Sequence, residues 1–218
     1  KLKPLEFKDD KTFLLPDVMD RYPFDLDGLK PWIDEGISID SLRKFEVRYD
    51  ATSQSILFPI KDENGNILVI KARLLDKQKL NNGAPKYSCL SKWGSNNTLY
   101  GLFENKRSIL DNSEVIIFEG EKSVMKCDSW GTNTAVAALT SHLNDAQIHT
   151  LIKLGASVVI AFDKGINPTA DSNIRKLKHF VGVSAIIDSK GLLEDKDAPV
   201  DKGLEVFNTL YQSRIRLN

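Results

Sequence analysis

The sequence predicts an α/β fold in two parts: an N-terminal α+β part with antiparallel strands, then a four-stranded parallel sheet flanked by helices. Three observations predict it. Residues 46–75 hold β-branched and aromatic runs interrupted by Asn64-Gly65, the pattern of an antiparallel hairpin. From Val115 onward, short apolar runs alternate with segments of helical period, the pattern of a parallel sheet with right-handed crossover helices. No apolar run approaches the ~20 residues that cross a bilayer; among the longest is Val158-Val159-Ile160-Ala161-Phe162.

Residues 1–23 carry three prolines and mixed charge, and read as a linker or leading arm. The first folded part, 24–113, begins with a helix over 26–35, stopped by Gly36, and a short one over 39–45. Val47, Tyr49, Ser55-Ile56-Leu57-Phe58-Pro59-Ile60 and Ile67-Leu68-Val69-Ile70 then form a meander, turned by Lys61-Asp62-Glu63-Asn64-Gly65-Asn66. Residues 76–98 read as loop, with Asn81-Asn82-Gly83-Ala84-Pro85 and Gly94-Ser95-Asn96-Asn97 as turn signals. The two parts join near 108–114. In the second part, 114–218, the pattern predicts strands over 115–118, 133–138, 157–162 and 183–188. It predicts helices over 121–129, 145–154, 169–179 and 203–213. Asn144 and Gln147 have the spacing of a capping box, and Gly155 ends the helix they start.

The 218 residues carry no formal net charge, but the charge is uneven. Residues 66–107 hold eight Lys/Arg against two Asp/Glu, whereas 1–65 hold ten against fourteen and 108–218 twelve against fourteen. The middle stretch is a candidate polyanion surface; a solvated loop bearing lysines reads equally well. Cys89 and Cys127 are too few for a disulfide framework or a four-ligand zinc site, so a reducing cytoplasm is the expected setting. The opening Lys-Leu-Lys-Pro does not read as a secretory leader, and a start without Met is expected of a piece of a longer protein.

In open α/β sheets ligands sit at the carboxyl ends of the strands. Three acidic groups fall there. Glu119 follows the first strand in Phe118-Glu119-Gly120-Glu121-Lys122, and Asp163 ends the third. After the fourth comes Glu194-Asp195-Lys196-Asp197-Ala198-Pro199-Val200-Asp201-Lys202-Gly203. Adjacent strands lie ~4.8 Å apart, so such carboxylates can share an ion. An oxygen-only set suits a hard cation, Mg²⁺ or Mn²⁺. Taken singly, each acid reads as well as a helix N-terminal charge, a turn cap or a solvated loop residue; their coincidence on one sheet edge favours a site.

Glu119-Gly120 after the first strand and Asp163 at the end of the third resemble the TOPRIM domain of DnaG-type primases, topoisomerases and some nucleases. Two further segments resemble primases of phages, plasmids and Gram-positive bacteria: Phe118-Glu119-Gly120-Glu121-Lys122-Ser123-Val124 and Lys196-Asp197-Ala198-Pro199-Val200-Asp201-Lys202-Gly203. Upstream, Ile56-Leu57-Phe58-Pro59-Ile60 with Gly65-Asn66, Lys71-Ala72-Arg73, Pro85-Lys86-Tyr87 and Leu99-Tyr100-Gly101-Leu102 resemble the basic subdomain of the same family. The likeness runs over roughly residues 35–210.

The resemblance implies primer synthesis: a 3′-hydroxyl attacks the α-phosphate of a ribonucleoside triphosphate on a single-stranded DNA template, and pyrophosphate leaves. It implies Glu119, Asp163 and Asp197 as catalytic residues, and Mg²⁺ or Mn²⁺ held by these with Asp195 and Asp201. Lys71, Arg73, Lys86, Lys92 and Lys122 would contact nucleotide and template, with Tyr87 or Trp93 available to stack on a base. A replicative helicase and a zinc-binding module outside this chain are the implied partners, in the cytoplasm and without a membrane. The sequence departs from the family at Gly165 and Ser123, where an acid is common. Gly165 is then either a missing ligand, replaced by Asp195 or Asp201 and shifting preference toward Mn²⁺, or a turn residue. A TOPRIM nuclease and a non-catalytic module derived from a primase are the alternatives. The first does not need the basic stretch, and the second is favoured by Gly165 and Ser123.

Overall fold

The computed structural model describes residues 13–91 and 97–217. Helix α1 (Leu26–Asp34) starts where the Asp25 side chain accepts the Asp27 N–H, and α2 (Ile39–Lys44) where Ser38 accepts that of Ser41. Strands β1 (Arg48–Asp50), β2 (Ser55–Lys61) and β3 (Ile67–Leu74) follow as an antiparallel meander. The Asn-Gly turn between β2 and β3 is organised by Asp62, whose Oδ1 accepts the Asn64 and Asn66 N–H groups. Two elements interrupt the expected loop over 76–98. They are α3 (Lys77–Asn81), capped by Asp76, and β4 (Tyr87–Cys89), which pairs antiparallel with β3. Both are too short to carry a period.

Helix α4 (Leu102–Asn112) was not predicted. Its buried face is Leu102, Asn105 and Ile109, and the central position is polar: Asn105 Nδ2 donates to Ala135 O at 2.8 Å. Beyond it come β5 (Glu114–Phe118), α5 (Glu121–Ser129), β6 (Ala135–Ala137), α6 (Asp145–Leu154) and β7 (Ser157–Ile160). A 3₁₀ turn at Pro168–Ala170 follows. The chain then runs through α7 (Ser172–Leu177), β8 (Val183–Ala185), α8 (Leu204–Gln212) and β9 (Ile215–Arg216). The expected helix over 169–179 is therefore divided. Asp171 accepts the Asn173 and Ile174 N–H groups and restarts the chain as α7.

The second sheet has the order β6-β5-β7-β8-β9. Its first four strands are parallel, as expected, and β9 adds an antiparallel fifth against β8. The leading arm is docked from Leu14 on: Leu14 N–H bonds Ile67 O at 2.9 Å, and Met19 packs with Leu57, Ile67, Ile70 and Ala72. Residues 1–12 lie outside the described residues. On its other face the first sheet shares one apolar cluster with the second, in which Trp32, Phe45, Phe58 and Tyr100 join Phe118, Val124 and Phe207. A further cluster covers the opposite face of the parallel sheet, with Ile117, Leu151, Ile160 and Leu177.

The capping box at α6 is present, and its Gln147 does more than cap. Fully buried, it accepts the Asn144 N–H and donates through Nε2 to Thr98 O and Ala138 O, both at 2.8 Å. Gln147→Ala removes the side-chain amide that donates to two interior carbonyls. We expect a loss of about 3 kcal/mol of unfolding free energy, measured by urea denaturation with an unchanged slope against denaturant.

Candidate active site at the carboxyl edge of the parallel sheet

Parallel register brings the ends of β5 and β7 together: Ile117 lies opposite Ile160, and Ala161 N–H bonds Ile117 O at 2.8 Å. The next residues along each strand are Phe118-Glu119 and Phe162-Asp163. Glu119 Oε1 accepts the Asp163 backbone N–H at 3.0 Å, which ties the two acidic tips together. The Asp163 carboxyl is pushed up to about 7, by burial first and then by the charges of Glu119, Asp201 and Asp197. Glu119, Asp201 and Asp197 therefore all lie within electrostatic reach of Asp163.

Asp197 and Asp201 arrive on the loop between β8 and α8. Asp188 anchors that loop. Its Oδ1 accepts the Leu192 N–H, and its Oδ2 accepts the Leu193 N–H and Lys164 Nζ. Burial would raise the Asp188 carboxyl, but the Leu193 and Leu192 N–H groups and Lys164 outweigh it and hold the group at about 2. Within the loop, Asp197 accepts the Glu194 N–H at 2.8 Å, and Asp201 accepts the Ala198 N–H at 3.0 Å. Each also meets a lysine: Lys202 lies 3.2 Å from Asp197, and Lys126 lies 2.8 Å from Asp201. The Asp197 carboxyl is held below the usual range, chiefly by the Glu194 N–H and then by Lys202. Asp195 is exposed and borders the turn at Gly165, where an added Cβ would lie 3.5 Å from its Oδ1.

The donor chemistry fits a hard divalent cation: the acids offer oxygen alone, and crowding keeps Asp163 above its ordinary range. The arrangement is not closed around an ion. Among the described residues, no three Asp, Glu, His or Cys side chains are gathered closely enough to hold one as they stand. Glu119 and Asp163 have no Lys or Arg in ion-pair reach among the described residues, whereas Asp197 and Asp201 are engaged by lysines.

The basic residues come from the first sheet. Alternation along β3 puts Lys71 and Arg73 on one face, next to Tyr87 of β4; both cations lie over the Tyr87 ring, at 5.3 and 5.4 Å from its centre. That ring packs with two cations of its own sheet, while Tyr87 remains 37% exposed. Lys71 is largely buried and ion-paired with Glu121 at the start of α5, and Lys122 is paired with Glu35. Arg73 and Lys86 have no carboxylate in ion-pair reach among the described residues. Burial, then repulsion from Arg73 and Lys122, hold the Lys86 ammonium below the usual lysine range. Lys92 and Trp93 lie outside the described residues. The rest of the basic stretch is mostly spent locally, Lys79 on Asp76, Lys106 on Glu63 and Arg107 on Asp111. Sequence reasoning missed Lys126, Lys164 and Asp188. Lys126 had a usable signal, four residues after Lys122 and so on the same side of α5.

No protein-family model matches the chain. It is 31% identical over 230 residues to the SPbeta prophage-derived uncharacterized protein YorJ of Bacillus subtilis (strain 168), over 92% of this chain and 59% of that protein. It is 31% identical over 137 residues to the DNA primase of Pseudomonas aeruginosa, over 62% of this chain. To the DNA primase of Staphylococcus aureus it is 27% identical over 172 residues, 76% of this chain. The chain thus spans 59% of the length of the prophage protein, 20% of the Pseudomonas primase and 27% of the Staphylococcus primase. Among solved structures, the Aquifex aeolicus primase, with zinc-binding and RNA polymerase domains, aligns at a TM-score of 0.72 and 21% identity. That alignment covers all of this chain and 64% of the other. A DnaG primase catalytic domain bound to ssDNA aligns at 0.66 and 16% identity, over 91% and 77%. The fold is that of the DnaG-type primase RNA polymerase domain.

Two outcomes follow from the geometry. A carboxyl raised from 3.8 to about 7 favours the folded state below its unfolded value, and that favour is lost as pH rises through 7. In chelator, Asp163→Asn should therefore melt above the wild type at about pH 8 and close to it at about pH 4; thermal melts across pH check this. Gly165 has φ +100°, a conformation L side chains rarely adopt. Gly165→Asp should cost about 1–3 kcal/mol without raising Mg²⁺ affinity, read by denaturation and isothermal titration.

Proposed function

We propose that the chain is the catalytic core of a DNA primase, making short RNA primers on single-stranded DNA by metal-dependent nucleotidyl transfer. Two observations support this reading together: acids gather at the carboxyl edge of one sheet, and Lys86 beside the other lies within electrostatic reach of one of them, Asp201, in a fold shared with primase cores. The coupling is visible at Lys86, which feels the acids Glu35 and Asp201 as well as its basic neighbours. A nuclease of similar acidic edge has no need of that basic sheet.

In this reading a 3′-hydroxyl attacks the α-phosphate of a ribonucleoside triphosphate and pyrophosphate leaves. Mg²⁺ or Mn²⁺ held by Glu119, Asp163 and Asp197, with Asp195 and Asp201 as further oxygen donors, would neutralise charge on the phosphoryl oxygens and ease ionisation of the hydroxyl. The chain's remaining work is positioning. Arg73 offers a planar fork to phosphate, and Lys86 a mobile point charge. Lys122 exchanges Glu35 for phosphate when substrate arrives, and Lys92, outside the described residues, is a further proposed contact. Lys71 keeps Glu121 and serves the site by holding the two sheets together. Single-stranded DNA, ribonucleoside triphosphates, a replicative helicase and a zinc-binding module are the partners in a bacterial or phage-infected cytoplasm. Among the described residues, no helix is long and apolar enough to cross a membrane.

Incorporation of ribonucleotides on a single-stranded DNA template, with Mg²⁺ and Mn²⁺ compared, tests the proposal. Synthesis should require template and metal, and Asp163→Asn should lower it at least about a hundredfold with an unchanged circular dichroism spectrum. Binding without synthesis in either metal would leave a primase-derived binding module. DNA affinity should fall linearly with salt on logarithmic axes, and Lys86→Ala should lower that slope by about one. An equal slope would move the DNA path away from Lys86.

A further inference from the structure

The lysines of the acidic loop are distributed unevenly. The two strand-tip acids, Glu119 and Asp163, have no Lys or Arg in ion-pair reach among the described residues. The two loop acids each have one, Lys202 on Asp197 at 3.2 Å and Lys126 on Asp201 at 2.8 Å. Lys202 also reaches Glu194 at 3.0 Å. These lysines are not the sole partners of the carboxylates. The Glu194 N–H also bonds Asp197 and the Ala198 N–H also bonds Asp201, so each acid has a backbone partner to keep when its lysine leaves.

We propose, resting on the metal-dependent reading above, that Lys202 competes with a divalent cation for Asp197 and passes from that carboxylate to the triphosphate when substrate binds. Lys126 plays the same part for Asp201, more firmly. The difference lies in burial. The Lys202 side chain is 34% exposed and the Lys126 side chain 8%. An exposed ion pair is worth little and opens readily, while a lysine enclosed between helix and loop gives up its partner reluctantly. A lysine head on its long stem can swing from one anion to another without moving the backbone. Charge is conserved in the exchange: the carboxylate trades one cation for another, and the ammonium trades a carboxylate for a phosphate. The site is thereby biased against filling Asp197 with an ion until a triphosphate is present to take the lysine.

The test is Mn²⁺ binding to the intact chain without nucleotide or template, followed by electron paramagnetic resonance and isothermal titration. Removing a unit positive charge a few ångströms from the ion should tighten Mn²⁺ binding by roughly tenfold at low salt in Lys202→Met. Lys202→Arg keeps the charge and should bind as the wild type does. In the Asp197→Asn background, Lys202→Met should bring no gain. At saturating Mn²⁺, Lys202→Met should bind a non-hydrolysable ribonucleoside triphosphate more weakly than the wild type. Equal or weaker Mn²⁺ binding by Lys202→Met, with native circular dichroism, overturns the proposal; Lys202→Gln repeats the measurement if the Met variant melts early. The readout is separate from primer synthesis. Tighter Mn²⁺ binding by Lys202→Met alongside absent synthesis by the wild type would keep the counter-ion role and end the primase reading.

Discussion

Four parallel strands that finish at one edge are the constraint on which the site depends. The hydrogen-bond register of β5 with β7 puts Ile117 opposite Ile160, and the residues that follow must then emerge side by side. Glu119 and Asp163 are 44 positions apart in sequence, yet a side chain of one bonds the backbone of the other. The apolar runs that build the strands thus also set the spacing of the charges. The ends are short and polar because the interior cannot take them: Phe118 and Phe162 are buried, and the acid follows immediately. The same register decides where the loop after β8 must start, and Asp188 then draws it back across the edge through Leu192, Leu193 and Lys164.

The second constraint is the joint between the sheets. Apolar packing from Trp32 and Phe58 through to Phe118 and Phe207 provides most of the attraction. Non-directional packing alone does not fix one mutual orientation. Buried polar pairs supply direction: Lys71 meets Glu121, and Asp128 on α5 accepts from Ser41 and Lys44 on α2. Such pairs add little net stability after desolvation, but each is costly to leave half-made. They bind the first sheet to the helix that begins two residues after Glu119. That joint brings Lys86 within electrostatic reach of Asp201.

Much of this was legible in the sequence, for specific reasons. The strand and helix alternation after Val115 is strongly periodic, and α5 and α6 lie where the pattern put them. The carboxyl-edge rule then selected Glu119 and Asp163 without any view of their contact. What escaped was either short or carried by polar groups. Helix α4 buries Asn105 at the centre of its apolar face, which breaks the period. β4 and β9 have three residues and two. A charge count gave 66–107 a strong positive excess, but it cannot see that Lys71 is paired with Glu121 or that Lys106 is answered by Glu63. Pairing across the chain depends on tertiary approach, and no local pattern encodes it.

Among the described residues, the flanks of the parallel sheet are short. On the β6 side, Tyr100 bridges Ala137 through two backbone bonds at 2.9 Å. On the β8 side, the two residues of β9 pair antiparallel and leave an edge only two residues long. Unsatisfied strand edges are what let a sheet accept a strand from another chain. With edges this short, a macromolecule that docks on this half meets mostly side chains and loops rather than a long ladder to extend. Recognition there rests chiefly on charge and shape, surface by surface, with little help from the backbone of the sheet.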